Sequence, residues 1–192
     1  AMGVALVDLL AERGDEVYVT SRSKRENMKN VTFIEGNAHN LSFLQELLKD
    51  SYDVVVDYMI YTLAELEERM DLILTSTKQY FFLSSSRVYA ESVERITEDS
   101  PRLLDVCKDE TYMQTKEYAL AKAREENLLM SSPHKNWTII RPYITYSNIR
   151  LQLGTQEKEY WLYRALQGRS IVFSDEIVNR LGDPNKTGGW KR

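Results

Sequence analysis

The feature that most constrains the fold is a regular alternation of short β-branched segments with amphipathic segments. Strands are predicted at residues 16–20, 31–36, 53–60, 80–85 and 137–142, and helices separate most of them. A turn at Gly168 and a further short strand are predicted after the last helix. Strands that alternate with helices at this spacing build parallel sheets with right-handed crossovers. The sequence therefore predicts an α/β fold with a doubly wound parallel sheet, in which ligands bind at the carboxyl ends of the strands.

The beginning of the sequence departs from the usual order of such a fold. A doubly wound sheet begins with a strand, a glycine-rich turn and a helix, whereas this sequence opens with "MGVALVDLLAERG", a predicted helix that ends at Gly14. We therefore expect a sheet that lacks its first, central strand. The strands at 16–20 and 53–57 would each expose an edge, which favours a homodimer through edge pairing. The segment 53–60 is otherwise expected to be a fully buried strand.

Composition narrows the classes of function. The chain has 192 residues, 43% of them hydrophobic, which suits one globular domain with a core. The net charge of −4 shows no excess of basic residues that could bind phosphates, so no nucleic-acid partner is expected. The single cysteine, Cys107, cannot form a disulfide within the chain, and His39 and His134 lack metal-ligand spacing, so no metal is expected. Without an apolar run that could span a bilayer, the sequence predicts a cytoplasmic protein with no membrane partner.

Two Tyr-x-x-x-Lys matches occur, Tyr112/Lys116 and Tyr118/Lys122, where chance predicts about one. We expect one helix to begin with "TYMQTKEY" and to run on through "ALAKAREENLL", so that Tyr112 and Lys116 project from one face. Tyr112 follows a long polar loop and can reach a cleft. Tyr118 lies about 240° further round this helix and is expected to pack or to face solvent. A tyrosine beside a lysine suits acid/base catalysis, although a solvated helix face would give the same pattern.

Hydroxyl side chains that could assist a tyrosine occur in "FFLSSSRVYA". Ser84, Ser85 and Ser86 follow a predicted buried strand there. At the carboxyl end of a parallel strand they would face a ligand. A polar strand-to-loop turn is the alternative interpretation, since serine commonly forms such turns.

Four segments together resemble a known family: "FFLSSSRVYA", "ITEDSP" (96–101), "YMQTKEYA" and "IIRPYITYS". In this order and spacing they are similar to the extended short-chain dehydrogenase/reductases, the NAD-dependent epimerase/dehydratase group, over residues 2–175. The resemblance implies a Rossmann-like fold and an NAD(P)-dependent epimerase or reductase that acts on a carbinol or ketone, such as that of a sugar nucleotide. It implies Tyr112 as the acid/base and Lys116 as the partner that lowers its pKa and binds the ribose. Ser85 is implied as the hydroxyl donor, with Ser86 as the second choice.

The same resemblance implies a dinucleotide site and a small-molecule substrate. Gly3 would be the last glycine of the phosphate turn at a helix N-terminus. Arg22 stands where an acidic residue usually accepts the adenosine ribose, so NADP is favoured over NAD. The cofactor-binding residues implied in all are Gly3, Ser21, Arg22, Asn37, Tyr58, Met59, Ile60 and Lys116.

Some residues depart from the family pattern. "SSRVY" lacks the acidic pair of the 4,6-dehydratases, which disfavours water elimination, and Ile144 replaces a usual asparagine. The predicted division is a dinucleotide-binding domain at 1–145, a remnant of the substrate-binding part at 146–180 and a mobile tail at 181–192. A non-catalytic relative that senses dinucleotides, binds RNA or acts as a scaffold is the alternative function, and the acidic composition counts against RNA.

Overall fold

The computed structural model describes residues 2–147, 151–153 and 156–175. These residues form two compact units, one made of residues 2–84 and 124–141 and the other of residues 85–123 and the described residues from 142 on. The predicted division at residue 145 stays a prediction, and the tail at 181–192 lies outside the described residues. None of the described helices is long and apolar enough to cross a membrane.

Helices and strands alternate along the chain as the sequence predicts. The helices are α1 (Met2–Arg13), α2 (Leu41–Leu47), α3 (Leu63–Thr75), α4 (Leu103–Val106), α5 (Glu110–Met113), α6 (Tyr118–Ser131) and α7 (Lys158–Leu166). The strands are β1 (Val17–Ser21), β2 (Val31–Glu35), β3 (Tyr52–Asp57), β4 (Thr77–Leu83), β5 (Trp137–Ile140), β6 (Gln152–Leu153) and β7 (Gln156–Glu157).

The five longer strands of the first unit pair in parallel. β1 pairs with β2 from Val17 opposite Val31 to Ser21 opposite Glu35, and β3, β4 and β5 form a second sheet in that order. The α/β, Rossmann-like fold class is therefore confirmed. The sheet is divided into two parts, and within the described residues β1 and β3 each have a strand partner on one edge only.

Local sequence signals explain where several helices begin and end. Gly14 ends α1 with φ of 96°, a conformation that glycine adopts without steric cost. Thr62 and Glu65 form a capping box at the start of α3, in which each side chain accepts a hydrogen bond from the other residue's backbone N–H. Such a cap contributes about 1 kcal/mol to stability.

The main core of the first unit lies where α2, α3 and part of α6 pack against β3, β4 and β5. Its most buried side chains are Leu66, Ile73, Tyr80, Phe82 and Leu129. Full burial of each such side chain stabilises the fold by about 1.5–3 kcal/mol.

The loop after β2 is fixed by two close contacts. A Cβ atom on Gly36 would overlap the ring of Phe43, so glycine is the residue that fits without displacing that ring. Arg69 of α3 is almost fully buried, and its guanidinium donates to the carbonyl oxygens of Glu65 at 2.5 Å and His39 at 3.2 Å. The same group lies 4.6 Å from the ring centroid of Tyr61.

The helix predicted to run on from Tyr112 is wrong as one continuous element, because it is two helices. Asp109 caps α5 by accepting from the Tyr112 N–H at 2.9 Å, and α5 ends at Met113. Glu117 then accepts from the Ala119 N–H at 2.6 Å, which starts α6. Two capping carboxylates eight residues apart therefore divide the segment.

Two other predicted elements need correction. The strand predicted at 53–60 ends at Asp57, and it is not fully buried, because Val54 is 50% exposed beside the open edge of β3. The short strand predicted after the turn at Gly168 is absent from the described residues, where 170–174 carries no regular structure.

The second unit holds a smaller core. A 3-10 turn at Ser86–Val88 follows β4, and Val88, Tyr89 and Ala123 are buried together. Further along the chain, β6 and β7 pair in antiparallel orientation ahead of α7.

Candidate functional site

The three consecutive serines after β4 have different environments. Ser84 is buried, and its hydroxyl donates to Oε1 of Glu126 at 2.5 Å. Ser85 is half-buried, and its Oγ accepts from the backbone N–H of Arg87 at 3.2 Å, which caps the 3-10 turn. Ser84 is thus committed to the interior of the first unit, whereas Ser85 and Ser86 belong to the second unit.

Glu126 also forms a bidentate ion pair with Arg141. Arg141 donates from Nε to Oε1 and from Nη2 to Oε2, each at 2.9 Å, and Glu126 is completely buried. This pair fixes α6 to the end of β5. Sequence reasoning missed Glu126, although the spacing of Tyr118, Lys122 and Glu126 at intervals of four residues places all three on one face of α6.

The predicted pair Tyr112/Lys116 is not on one helix. Tyr112 lies in α5, half-buried, and its hydroxyl donates to Oε2 of Glu117 at 3.3 Å. Burial, and then the nearby Glu117 carboxylate, raise the pKa of Tyr112 above its usual value. Lys116 is exposed between α5 and α6, and within the described part of the chain its ammonium makes no hydrogen bond or ion pair. The catalytic role of this pair stays a prediction.

The second pair, Tyr118/Lys122, lies within one helix. Tyr118 is the first residue of α6 and is 39% exposed, whereas Lys122, one turn further on, is 2% exposed. The guanidinium carbon of Arg87 lies 5.4 Å from the ring centroid of Tyr118. A partly exposed phenol therefore has a guanidinium over its ring and a buried lysine one turn away.

Glu117 connects the surroundings of the two tyrosines. Its carboxylate pairs with Arg87 and accepts from both the Tyr112 hydroxyl and the Ala119 N–H. Because a carboxylate beside a phenol disfavours phenolate, this arrangement keeps Tyr112 as a hydrogen-bond donor at neutral pH. Arg87 is meanwhile held between Glu117 and the ring of Tyr118.

Two predicted cofactor-binding residues of the first unit come together at the start of α1. A Cβ on Gly3 would lie 3.5 Å from the ring of Tyr58, which follows β3 directly. Partial burial raises the pKa of Tyr58. Met59 and Ile60 continue this segment, and Ile60 is exposed.

A buried carboxylate holds this segment after β3. Asp57 accepts from the Tyr80 hydroxyl at 3.0 Å and from the Met59 N–H at 2.8 Å. Burial, and then Asp57, raise the pKa of Tyr80 well above its usual value. Asp57 was not singled out from the sequence, but a carboxylate at the end of an apolar strand is the signal that could have found it.

The other predicted cofactor residues lie at the carboxyl ends of β1 and β2. The Gly36 N–H donates to the Ser21 carbonyl at 2.8 Å, so these two ends are adjacent. Ser21 donates to the Ser23 carbonyl, and Asn37 accepts from the His39 N–H at 3.1 Å, so both side chains have local partners. Arg22 is exposed, and among the described residues its guanidinium has no partner.

Among the described residues, no cluster has three or more His, Cys, Asp or Glu side chains placed to hold a metal ion.

Solved structures of similar fold include three epimerase-type proteins. One is from Methylobacillus flagellatus and is described as an NAD-dependent epimerase/dehydratase (19% identity, TM-score 0.50, 72% of this chain and 49% of that one). The second is MoeE5 in complex with UDP-glucuronic acid and NAD (18%, 0.52, 71% and 48%). The third is the human epimerase family protein SDR39U1, isoform 2, with NADPH (17%, 0.51, 88% and 57%).

No protein-family model matches this chain, and no curated protein sequence matches it significantly. The chain spans about half the length of the solved structures it resembles. At 17–19% identity these likenesses establish fold rather than activity. The chain therefore has the Rossmann-like α/β fold of the NAD-dependent epimerase/dehydratase structures, as the sequence resemblance implies.

Proposed function

We propose that this chain provides the catalytic and dinucleotide-binding parts of an NAD(P)-dependent epimerase or reductase that acts on a carbinol or ketone. The fold shared with the epimerase-type structures supports this class. The observation that carries the proposal is the pair Tyr118/Lys122, in which a buried lysine lies one helical turn from a partly exposed phenol.

We assign the acid/base role to Tyr118 in preference to Tyr112. The phenol of Tyr118 would exchange a proton with the carbinol oxygen, Lys122 would supply the neighbouring cation one turn away, and Ser85 would donate a hydrogen bond to the same oxygen. Tyr112 and Lys116 are the competing assignment from the sequence. The raised pKa of Tyr112 and the exposure of Lys116 count against that assignment.

NADP is the cofactor we propose, with NAD as the alternative. The first turn of α1 at Gly3 would accept the pyrophosphate, Ser21 would contact the adenosine ribose, and the exposed Arg22 would pair with the 2′-phosphate. Tyr58 and Met59 would line the dinucleotide, and the bound nicotinamide would supply hydride chemistry. A sugar nucleotide is the substrate class we favour, since MoeE5 is seen with UDP-glucuronic acid.

The two tyrosines provide a matched test of this proposal. NADPH-dependent turnover would be measured against a panel of UDP-sugars and simple ketones for Tyr118→Phe, Tyr112→Phe and the unaltered chain. Tyr118→Phe should lower the rate by about 10²-fold or more, and Tyr112→Phe by less than about tenfold. The reverse order would return the acid/base role to Tyr112, and full activity of both variants would exclude tyrosine catalysis.

A non-catalytic dinucleotide-sensing relative is the second candidate. NADPH binding in a titration, without turnover of any panel member, would support this candidate over the enzyme. The homodimer and the cytoplasmic location stay predictions, of which sedimentation velocity tests the first.

A further inference from the structure

Arg87 lies beside two of the side chains to which we assign contacts with the reacting oxygen. It belongs to the 3-10 turn Ser86–Val88, and its backbone N–H donates to the Ser85 hydroxyl oxygen at 3.2 Å. Its guanidinium carbon lies 5.4 Å from the ring centroid of Tyr118. An arginine is therefore adjacent to both the proposed hydroxyl donor and the proposed acid/base.

The turn that carries Arg87 is fixed to α6. Val88 is completely buried, and it packs with Tyr89 and Ala123 in the core of the second unit. Ala123 belongs to α6, the helix that begins with Tyr118. Because close-packed buried side chains move little, the backbone of Arg87 keeps a constant position relative to the phenol.

The guanidinium of Arg87 is oriented by two contacts and still has unused donors. Nη2 donates to Oε1 of Glu117, and the ring of Tyr118 supplies a cation–π contact. Arginine has five N–H donors, and within the described residues Nε and Nη1 of Arg87 donate to no acceptor. The side chain is 41% exposed, so a ligand can reach these donors.

Glu117 balances the charge of Arg87 only in part. Its carboxylate also accepts from the Tyr112 hydroxyl at 3.3 Å and from the Ala119 N–H at 2.6 Å. The negative charge of Glu117 is therefore shared among three donors. The exposed edge of the guanidinium can attract a second anion, as arginines commonly do with carboxylates and phosphates. All of these contacts lie within residues 85–123, and none of them involves either end of the chain.

We propose that Arg87 binds a carboxylate of the substrate. Because this role rests on the proposed function of Tyr118 as the acid/base, the carboxylate belongs next to the carbinol or ketone that reacts. A carboxylate is planar and presents two oxygens, which match two N–H groups on one edge of a guanidinium. A guanidinium that its protein contacts already orient loses little freedom when it binds. Uronic acids and 2-oxo or 2-hydroxy acids have the required chemistry.

A purely structural role is the competing explanation for Arg87, since its ion pair holds Glu117 at the start of α6. Loss of a structural contact would lower the turnover of every substrate alike. Loss of a carboxylate contact would lower the turnover of acids and spare uncharged substrates. The ratio of kcat/KM for an acid to kcat/KM for its uncharged counterpart therefore separates the two roles.

The test measures this ratio with the whole chain. One pair of compounds is UDP-glucuronic acid and UDP-glucose, and the other is phenylglyoxylate and its methyl ester. Arg87→Gln removes the charge but keeps an amide donor for Glu117, and it should lower the ratio by about tenfold or more for one pair. The pair that responds distinguishes a uronic acid from a 2-oxo acid. Arg95→Gln, at an exposed arginine of the same unit, is the matched control and should leave both ratios unchanged.

A binding measurement separates the Arg87 site from the catalytic role of Tyr118. The Nε–H signal of Arg87 would be followed by NMR in the isotope-labelled chain, and Arg87→Lys, which keeps the charge beside Glu117, would assign it. The acid of one pair should shift this signal saturably, whereas its uncharged counterpart and inorganic phosphate should not. A saturable shift without turnover of any compound would overturn the catalytic role of Tyr118 and retain the Arg87 site.

Three results would overturn the carboxylate site. The first is an unchanged ratio for both pairs in Arg87→Gln, and the second is an equal fall of the ratio in Arg95→Gln. The third is an Arg87 signal that no acid shifts, or that phosphate or an uncharged counterpart shifts as much as the acid does. Circular dichroism shows whether Arg87→Gln is folded. If it is not, the titration of the unaltered chain decides.

Discussion

Tyr112/Lys116 and Tyr118/Lys122 have the same spacing in the sequence but different structures. The first pair is split between α5 and an exposed segment, and the second lies within α6 with its lysine buried. The spacing of four residues brings side chains together only where the helix is continuous. Capping residues, here Asp109 and Glu117, therefore decide which of two identical patterns lies within one helix.

The largest expected effect is a loss of stability. The ion pair between Glu126 and Arg141 anchors α6, the helix that carries Tyr118 and Lys122. Glu126→Ala leaves Arg141 without its buried partner and should lower the free energy of unfolding by about 3–5 kcal/mol. Urea unfolding measures this loss. The exposed Glu67 on α3 is the control, and Glu67→Ala should change stability by less than about 0.5 kcal/mol. Equal effects of the two changes would mean that the ion pair does not hold α6.

The second prediction compares the two lysines. Lys122→Met should lower NADPH-dependent turnover by about 10²-fold, since it removes the cation one turn from Tyr118. Lys116→Met should change the rate by less than about twofold, because that ammonium is exposed. Rates would be measured with the best substrate of the panel, and thermal unfolding would show whether Lys122→Met is folded. A larger loss from Lys116→Met would restore the first pair as catalytic.

The smallest expected effect is a change in the titration of Tyr112. Burial and the Glu117 carboxylate raise its pKa, so Glu117→Gln should move that pKa downwards, towards its usual value. The stability linked to this raised pKa is present below the unfolded-state value near 10 and is lost as pH rises through the folded-state value. NMR of ring-labelled tyrosine, assigned with Tyr112→Phe, would measure the shift. An unchanged or raised pKa would contradict the role given to Glu117.

The strands were predictable from the sequence, whereas the site was predictable only in part. β-branched runs between helical segments are a local signal, and β1 to β5 all lie within a few residues of their predicted positions. The burial of Ser84 depends on its hydrogen bond to Glu126, a residue 42 positions away, which the sequence around the serines does not predict. The pairing of Glu126 with Arg141 likewise depends on how β5 lies beside β4, which no local pattern encodes.

The exposure of Val54 in β3 is a second feature that the local sequence does not predict. Its neighbours in the sequence are those of an interior strand, so burial on both faces was expected. Its actual exposure follows from a gap in the strand order, because the open edge of β3 has no neighbour among the described residues. The residue pattern therefore identifies β3 as a strand but does not determine which element lies at its other edge.

The burial of the Arg69 guanidinium has a consequence for how the sequence of this protein can change during evolution. Its guanidinium binds the carbonyl oxygens of Ala38, His39 and Glu65, which every amino acid supplies. The path of the loop at Ala38 and His39 is therefore held through backbone atoms, and substitution at these two positions leaves the contacts with Arg69 available. Homologues could differ there, though not at Gly36, and still keep the same course of the chain.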